Sequence, residues 1–345
     1  MSYRANEGRY EAMAYRNCGK WGLKLPVISV GLWQNFGGNR DHTSAVEILA
    51  HAFDAGITHF DLANNYGPPP GSAEELFGKI LAEEFRPYRD EMIISSKAGY
   101  RMWPGPYGEF GSRKYLMASC DQSLKRMGLD YLDIFYSHRP DPETPLEETM
   151  GALADIVKSG KALYAGISSY PEKETRQASQ MLHEMGVPCT IHQPSYSMIN
   201  RWIEEDNTIE ACADEGMGII AFSPLTQGVL SGKYGAGVAP QTRAGNEQTT
   251  VRESHMRPEV VAAVERLRPI ADARGQSMVQ LALSWVLRRR EVTSALIGIR
   301  NLEQLKDNLG VLKNLELAPE EIQAIDEITK PVLMDLAPKP TGWLR

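Results

Sequence analysis

The 345-residue sequence has no long hydrophobic run and no block of charge of one sign. A helix that spans a bilayer needs about 18–20 consecutive apolar residues, and no stretch approaches that length. The 37 lysines and arginines are outnumbered by 44 aspartates and glutamates, which gives a net charge of −7 spread along the chain. Nucleic acids and anionic membranes select clustered basic residues, so the sequence predicts neither as a partner.

Cysteine is scarce as well. Cys18, Cys120, Cys189 and Cys212 are scattered, and no two of them have CxxC spacing. Disulfide frameworks and zinc sites need cysteines that are paired or closely spaced, so we expect four reduced, structural thiols and no metal. The N-terminal residues also lack the apolar core of a secretory signal, and the two observations together predict a cytoplasmic protein.

Several familiar catalytic and nucleotide-binding motifs are missing. No GxGxxG follows a predicted strand, and the sequence has no Walker A lysine loop, no HExxH and no GxSxG. These absences argue against a Rossmann dinucleotide site, a P-loop and the active sites of zinc proteases and α/β-hydrolases. Candidate functional residues must therefore be sought from the architecture as a whole.

The sequence repeats a short apolar segment of strand length followed by a longer amphipathic segment of helix length. Strands that alternate with helices form right-handed parallel βαβ units, and eight such units indicate an α/β fold, a closed (β/α)8 TIM barrel. The predicted strands are residues 27–33, 59–63, 92–97, 133–138, 162–168, 189–194, 218–225 and 294–299. The predicted helices between them are residues 44–55, 73–84, 113–127, 146–158, 172–184 and 202–214.

Further segments lie outside the eightfold repeat. The gap after the seventh strand is twice the usual length and contains a long loop and two predicted helices, residues 258–274 and 278–288, one more than the barrel needs. Helices are also predicted at residues 302–312 and 319–329. We expect one barrel domain over residues 1–345, with a β-hairpin at about 13–26, the barrel at about 27–312, and a C-terminal helix and tail at about 313–345.

Four polar residues fall where barrel enzymes place their chemistry, at the C-terminal ends of strands. Asp61, Lys97 and His138 end the second, third and fourth predicted strands, and Tyr66 follows the second. An ammonium within about 4–6 Å lowers the pKa of a tyrosine, and a carboxylate fixes the lysine. The set suits protonation of a carbonyl oxygen while a hydride reaches its carbon. A glycosidase would need two carboxylates, and Asp61 is the one obvious candidate.

Three segments resemble the signatures of the aldo-keto reductase superfamily. They are GITHFDLANNYG at 56–67, GLDYLDIFYSH at 128–138, and IGIR at 297–300 together with QLKDNL at 304–309. The resemblance covers about residues 15–328. Within the superfamily, NNYGPPPGS at 64–72 and AGYRMWPGPYG at 98–108 are most similar to the bacterial L-glyceraldehyde 3-phosphate reductases, which are related to the potassium-channel β subunits.

The resemblance implies reduction of a carbonyl. Tyr66 is then the general acid, and Lys97 lowers its pKa. Asp61 supports the lysine, and His138 orients the substrate carbonyl. The residues that the resemblance implies for the substrate site are Trp33, Tyr66, Trp103, Tyr107 and His138.

The resemblance also implies a site for NADPH/NADP+ along the ends of the later strands. A cationic loop and a helix start near Asn301 suit a dianionic 2′-phosphate, so NADPH is favoured over NADH. Arg300 and Asp307 depart from the family pattern, since relatives often carry a small hydroxyl residue and a glutamate there. The implied cofactor-binding residues are Trp33, Ser168, Ser169, Gln193, Phe222, Ser223, Pro224, Leu225, Gln227, Gly228, Lys233, Arg243, Gly298, Arg300, Gln304, Asp307 and Asn308.

Three interpretations of the function stay open. The leading one is an NADPH-dependent reductase of a short polar or phosphorylated aldehyde, such as L-glyceraldehyde 3-phosphate or methylglyoxal, because Arg101, Arg113 and Lys114 flank the substrate residues. The second is a cofactor-sensing regulatory subunit like the channel β subunits. The third is an alcohol or sugar dehydrogenase that works in the oxidative direction with the same residues. The family further implies a homo-oligomer, a tetramer or an octamer.

Overall fold

Eight parallel strands close into a barrel, which confirms the predicted (β/α)8 architecture. The computed structural model describes residues 3–234, 253–334 and 337. The strands follow one another around the barrel in chain order, and the last strand pairs with both the seventh and the first. The barrel strands are β3 (Ile28–Gly31), β4 (His59–Asp61), β5 (Ile93–Ala98), β6 (Leu132–Ser137), β7 (Ala162–Ser168), β8 (Cys189–Gln193), β9 (Gly218–Phe222) and β10 (Val292–Ile297).

Helices connect the strands, and local capping explains where several of them begin. The carboxylate of Asp41 accepts the backbone N–H of Ser44 at 2.8 Å and starts the helix at His42–Asp54. Ser277 and Gln280 form a capping box at the start of the helix at Met278–Leu287. The helices are α1 (His42–Asp54), α2 (Ser72–Ile80), α3 (Arg113–Met127), α4 (Leu146–Lys158), α5 (Glu172–Glu184), α6 (Trp202–Glu205), α7 (Thr208–Glu215), α8 (Pro258–Arg266), α9 (Arg268–Ala273), α10 (Met278–Leu287), α11 (Leu302–Leu309) and α12 (Pro319–Thr329).

In three predicted segments a single residue breaks or shortens the element. The helix predicted at 202–214 divides into α6 and α7, because Asn207 between them takes a left-handed φ of 63°. The helix predicted at 258–274 divides into α8 and α9, where Pro269 has no N–H to donate. The strand predicted at 218–225 ends at Phe222, because Ser223 has a φ of 53°.

A π-helical turn at Leu81–Phe85 follows α2, so the helix predicted at 73–84 keeps its position but changes its hydrogen-bond pattern at the end. The C-terminal helix α12 is present as predicted. An ion pair holds it to the region after β8, where Arg201 Nη1 lies 2.7 Å from Asp326 Oδ1. Across the described ranges, no helix is both long enough and apolar enough to span a membrane.

The predicted N-terminal hairpin closes the end of the barrel opposite the C-terminal rim. Its strands, β1 (Tyr15–Asn17) and β2 (Lys24–Pro26), pair antiparallel. The turn between them packs closely on the start of β9, where a Cβ added to Gly19 would lie 2.1 Å from the carbonyl oxygen of Gly216. Buried apolar residues of the hairpin join those inside the barrel in one cluster, which comprises Cys18, Leu23, Leu25, Ile134, Tyr136, Ile191, Ile220 and Leu296.

This arrangement predicts that Leu25 is important for stability. The side chain is 0% exposed, so the Leu25→Ala substitution leaves a cavity in the barrel floor. We expect it to lower the free energy of unfolding by about 2–5 kcal/mol, measured by urea unfolding. Leu163→Ala is the matched control, because Leu163 is 50% exposed, and its effect should stay within about 0.5 kcal/mol. Equal stability of the two variants would contradict the plugging role of the hairpin.

Candidate active site

The structure brings the four predicted catalytic residues together at the C-terminal rim of three neighbouring strands. Asp61 is the last residue of β4, Lys97 lies near the end of β5, and His138 follows β6 directly. Tyr66 lies in the turn after β4, whose backbone is tied back by a hydrogen bond from Gly71 N to Tyr66 O at 3.0 Å. Because β4, β5 and β6 are adjacent and parallel, their ends meet at one place.

A buried ion pair lies at the centre of this group. Lys97 Nζ is 2.5 Å from Asp61 Oδ2, and both side chains are 0% exposed. The same nitrogen donates to the carbonyl oxygen of Leu62 at 2.6 Å and lies 3.4 Å from the hydroxyl of Tyr66. An ammonium has three protons to donate, and here each has an oxygen within reach.

The second carboxylate oxygen of Asp61 is held by two further side chains. Ser95 Oγ donates to Asp61 Oδ1 at 2.7 Å, and Gln193 Nε2 donates to the same oxygen at 3.1 Å. The sequence analysis missed Ser95, although it lies two residues before Lys97 and therefore on the same face of β5. Gln193 was predicted to bind cofactor, and in the structure its amide nitrogen bonds to Asp61. The carboxylate is thus held by three side chains from two strands, β5 and β8.

The pKa of Tyr66 is raised, whereas the resemblance implied that Lys97 lowers it. Burial raises the pKa of the Tyr66 hydroxyl well above its usual value, and the charge of Asp61 raises it further. Burial also lowers the pKa of Lys97, while the charge of Asp61 opposes that change. Tyr66 therefore keeps its proton at neutral pH, as a proton donor requires.

His138 is 8% exposed and packs between two tyrosine rings. Its ring lies edge-on to Tyr100, with centroids 4.6 Å apart and planes at 89°, and its centroid is 6.0 Å from that of Tyr66. Burial lowers the pKa of His138 well below its usual value, and the charges of Lys97 and Arg139 lower it further. The imidazole is therefore neutral, with one nitrogen that donates and one that accepts.

Three buried polar atoms near Tyr66 have no hydrogen-bond partner among the described residues. They are His138 Nδ1, Asn64 Oδ1 and Asn65 Oδ1. The amide nitrogen of Asn64 is used, since it donates to the hydroxyl of Tyr115 at 2.9 Å. A buried polar atom without a partner costs about 1–3 kcal/mol, so this rim is suited to a polar ligand that satisfies these atoms.

The predicted substrate residues lie on the loops beside this group. Trp33 is half-buried after β3, and Trp103 packs edge-on against Tyr115 with ring centroids 5.1 Å apart. Tyr107 is 49% exposed, and Lys114 Nζ lies 5.5 Å from its ring centroid. Of the three flanking cations, Arg113 contacts Asp155 of α4, so its charge is directed away from the substrate residues.

The predicted nicotinamide and pyrophosphate residues lie at the ends of β7, β8 and β9. Ser168 Oγ donates to the carbonyl oxygen of Gln193 at 2.7 Å, which couples β7 to β8. Left-handed backbone recurs here, with φ of 60° at Ser169 and 57° at Gln227. Among the described residues, a Cβ added to Gly228 would meet the Tyr234 hydroxyl alone, at 4.0 Å. The other predicted residues on this stretch are Phe222, Ser223, Pro224 and Leu225.

The predicted adenosine-phosphate residues surround the start of α11. Asn301 Oδ1 caps the helix by accepting the N–H of Gln304 at 2.9 Å, and Gln304 Oε1 accepts the N–H of Arg300 at 2.9 Å. The Arg300 side chain is exposed. Arg40 was not predicted, but its Nη1 donates to the Arg300 carbonyl oxygen at 2.9 Å. This corner therefore presents two guanidinium groups beside a capped helix N-terminus.

The remaining predicted cofactor residues differ in their hydrogen-bond partners and in their exposure. Asp307 Oδ1 accepts from Gln280 Nε2 at 3.0 Å, and Asn308 Nδ2 donates to the Gln304 carbonyl oxygen at 2.5 Å. Gly298 is exposed beside Arg300, and Lys233 is exposed near the end of the first described range. Arg243 lies outside the described residues.

The donor set as a whole fits an anionic dinucleotide. Hydroxyl and amide groups lie at the ends of β7 and β8, an aromatic ring ends β9, and cations lie at the start of α11. These strand ends are on the same rim as Tyr66, because all eight barrel strands are parallel. A nicotinamide near Tyr66 and a phosphate near Arg300 match this order of groups.

Comparison with known proteins gives concordant matches. A family model described as the Aldo/keto reductase family matches residues 27–330. The chain is 54% identical over 334 residues to the L-glyceraldehyde 3-phosphate reductase of Escherichia coli strain K12, a match that covers 95% of each chain. It is 33% identical over 322 residues to a probable voltage-gated potassium channel subunit beta of Arabidopsis thaliana, over 92% of this chain and 96% of that one.

The neutral state of His138 can be measured directly. An unfolded histidine has a pKa of about 6.5, and the folded pKa of His138 is lower. Below about pH 6.5 the unfolded chain therefore binds a proton that folded His138 does not, so this residue makes stability fall as the pH drops. In NMR spectra of histidine-labelled protein, the Cε1–H resonance that disappears in His138→Asn should not titrate between about pH 8 and pH 5.5. A midpoint near that of the urea-unfolded chain would contradict this.

Proposed function

The chain belongs to the aldo/keto reductase family, and from this premise we propose that it reduces a short polar or phosphorylated aldehyde to the alcohol with NADPH. Tyr66 donates the proton in this proposal. One observation carries the proposal. Lys97 forms a fully buried ion pair with Asp61, and its Nζ lies 3.4 Å from the hydroxyl oxygen of Tyr66. The family and the reductase relatives identify the chain as an oxidoreductase.

The proton step follows from the geometry of the rim. When bound, NADPH supplies a hydride to the carbonyl carbon of the substrate. Tyr66 gives its hydroxyl proton to the carbonyl oxygen, so that hydride and proton together convert the aldehyde to the alcohol. The phenolate left on Tyr66 lies beside the Lys97 ammonium, which stabilises the new negative charge. Asp61 holds the lysine in this position, and neutral His138 orients the carbonyl.

The preference for NADPH rests on the corner at the start of α11. A 2′-phosphate is a dianion, and guanidinium groups bind it through charge-assisted hydrogen bonds. Arg300 is exposed beside the capped N-terminus of α11, and Arg40 contacts its backbone. A helix N-terminus also favours negative charge. These features support the phosphorylated cofactor over NADH.

The substrate class rests on the relatives and on the loop after β5. The Escherichia coli relatives are named for reduction of L-glyceraldehyde 3-phosphate. In this chain, aromatic rings of Trp103 and Tyr107 and the exposed guanidinium of Arg101 lie on that loop. A cation near aromatic walls suits a small aldehyde with an anionic group. A cytoplasmic location and a homo-oligomer, a tetramer or octamer, stay predictions.

Loss of the Tyr66 hydroxyl should abolish most of the reduction. We expect Tyr66→Phe to lower kcat for L-glyceraldehyde 3-phosphate by about 10²–10⁴-fold, the usual contribution of a general acid. The assay follows NADPH oxidation at 340 nm with L-glyceraldehyde 3-phosphate, methylglyoxal and an aromatic aldehyde. Binding of NADPH, followed by its fluorescence, should stay unchanged because the hydroxyl acts on the substrate.

Tyr10→Phe is the matched control, since Tyr10 is exposed on the N-terminal segment and contacts Glu91. Its kcat should equal that of the wild type. A Tyr66→Phe variant with activity within twofold of the wild type would overturn the role of Tyr66. A wild-type chain that binds NADPH and turns over no aldehyde would instead favour the regulatory alternative, and turnover in the oxidative direction alone would favour the dehydrogenase.

The cofactor preference gives a second prediction. Arg300→Met should weaken NADPH binding by about 10–100-fold, the value of a charge-assisted hydrogen bond, and leave NADH binding unchanged. Titration of cofactor fluorescence measures both dissociation constants. Lys306→Met is the matched control, because Lys306 is an exposed cation in the last turn of the same helix. An equal loss for both cofactors would show that Arg300 does not read the 2′-phosphate.

A further inference from the structure

The loop after β5 is tied to the residue that follows His138. We call residues 99–111 the substrate loop, since it carries Trp103 and Tyr107. Arg139 is 7% exposed, an unusual degree of burial for an arginine. Its Nε donates to the carbonyl oxygen of Gly99 at 2.9 Å, and its Nη2 lies 2.9 Å from Glu109 Oε2. One guanidinium therefore binds both ends of the substrate loop.

The same guanidinium stacks on two aromatic rings of the substrate loop. Arg139 Cζ lies 4.5 Å from the centroid of Tyr100 and 4.1 Å from that of Phe110. Cation–π contacts of this kind are stronger when they are desolvated. Gly99 packs on His138, where an added Cβ would be 2.8 Å from the histidine Cβ. Loop, guanidinium and imidazole therefore form one packed unit.

Tyr100 is the link between Arg139 and His138. One side of its ring faces the guanidinium, and its ring also meets the imidazole edge-on at 4.6 Å. Its backbone carbonyl oxygen accepts the hydroxyl of Tyr115 at 2.6 Å, which fixes the residue from α3. A substitution of Arg139 therefore affects the position of the His138 ring through Tyr100, and it does not require the barrel strands to move.

The charge of Arg139 acts on His138 as well. The titratable and charged groups that face the imidazole are Lys97 from β5, Tyr66 from the turn after β4, Tyr100 from the substrate loop, and Arg139 next to it in the chain. The two cations both disfavour protonation of the imidazole, and Lys97 already has Asp61 as its counter-ion. Arg139 has Glu109, whose side chain is 33% exposed.

We infer that Arg139 is a positioning residue that holds the substrate loop and the ring of His138 in the one arrangement that accepts an aldehyde. The expected effect of Arg139 on aldehyde reduction rests on the proposed function. The structural part, that Arg139 orders residues 99–111, does not depend on which reaction is catalysed. The hydrogen bonds and ring contacts of Arg139 go to Gly99, Glu109, Tyr100 and Phe110, so it acts on the rim through Tyr100 and His138.

Two substitutions distinguish the effect of the Arg139 charge from the effect of its hydrogen bonds and stacking. Arg139→Met removes the charge, the hydrogen bonds and the stacking, whereas Arg139→Lys keeps the charge alone. Arg176→Met is the control, because Arg176 of α5 also forms ion pairs, with Glu172 and Asp214, but on the outer surface. All variants are compared as the full chain, with thermal unfolding measured alongside the kinetics.

We expect Arg139→Met to raise KM for the aldehyde and to reduce kcat/KM about 10–100-fold, as misplacement of positioning groups does. NADPH affinity should stay within twofold. Arg139→Lys should show a similar kinetic loss, but the pKa of His138 should rise only in Arg139→Met, where the charge is lost. A merely stabilising residue would lower the unfolding temperature and leave KM and the histidine titration unchanged, and that result would overturn the inference.

Hydrogen exchange tests the loop independently of catalysis. Peptides covering residues 99–111 should exchange at least about tenfold faster in Arg139→Met than in the wild type, while peptides from β4 and β5 keep their protection. Unchanged exchange in these peptides would overturn the inference even if KM changed. If the wild type reduces no aldehyde, the proposed function fails, whereas faster loop exchange in Arg139→Met would still support the ordering role of Arg139.

Discussion

The ion pair of Lys97 and Asp61 is the interaction on which the rim depends. Two opposite charges at 0% exposure are tolerated only because every proton and most lone pairs have partners, which come from Leu62, Ser95, Gln193 and Tyr66. Breaking such a pair costs roughly 3–5 kcal/mol, since it leaves a buried charge alone. The pair therefore fixes the neighbouring strands and loops as well as the lysine.

The closed parallel barrel makes this pairing possible. Parallel strands end on one side, so residues from 31 to 132 positions apart in the chain meet there. The hairpin closes the other end with apolar side chains. The polar rim and the apolar floor thus divide the barrel into a candidate ligand site and a base that stabilises the fold.

Loops and barrel contribute differently to the site. Asp61, Lys97 and Ser95 lie on strands, where hydrogen bonds to both neighbours fix the backbone. The residues that would contact an aldehyde lie on loops, and those loops are fixed by single side chains such as Arg139 and Tyr115. This division puts the groups that would meet the substrate on loops, while the strands hold Lys97 and Asp61.

Periodicity and strand ends were enough to predict the barrel, the hairpin, the C-terminal helix and the positions of Asp61, Tyr66, Lys97 and His138. Boundaries were less accurate where one residue breaks an element, as Asn207 and Ser223 do with left-handed backbone. Arg139 stands directly after His138 in the sequence, yet nothing there indicates that its guanidinium turns back to Gly99 and Glu109.

The sequence by itself determined which residue types stand at the rim, because strand length and side-chain alternation are local properties. Only the tertiary structure decided how those residues act on one another. The pKa of Tyr66 rises because the hydroxyl is buried and lies near the charge of Asp61, and Gln193 bonds to Asp61 because β8 faces β4 across the barrel. Burial and distance depend on how the whole chain packs, and no short stretch of sequence contains them.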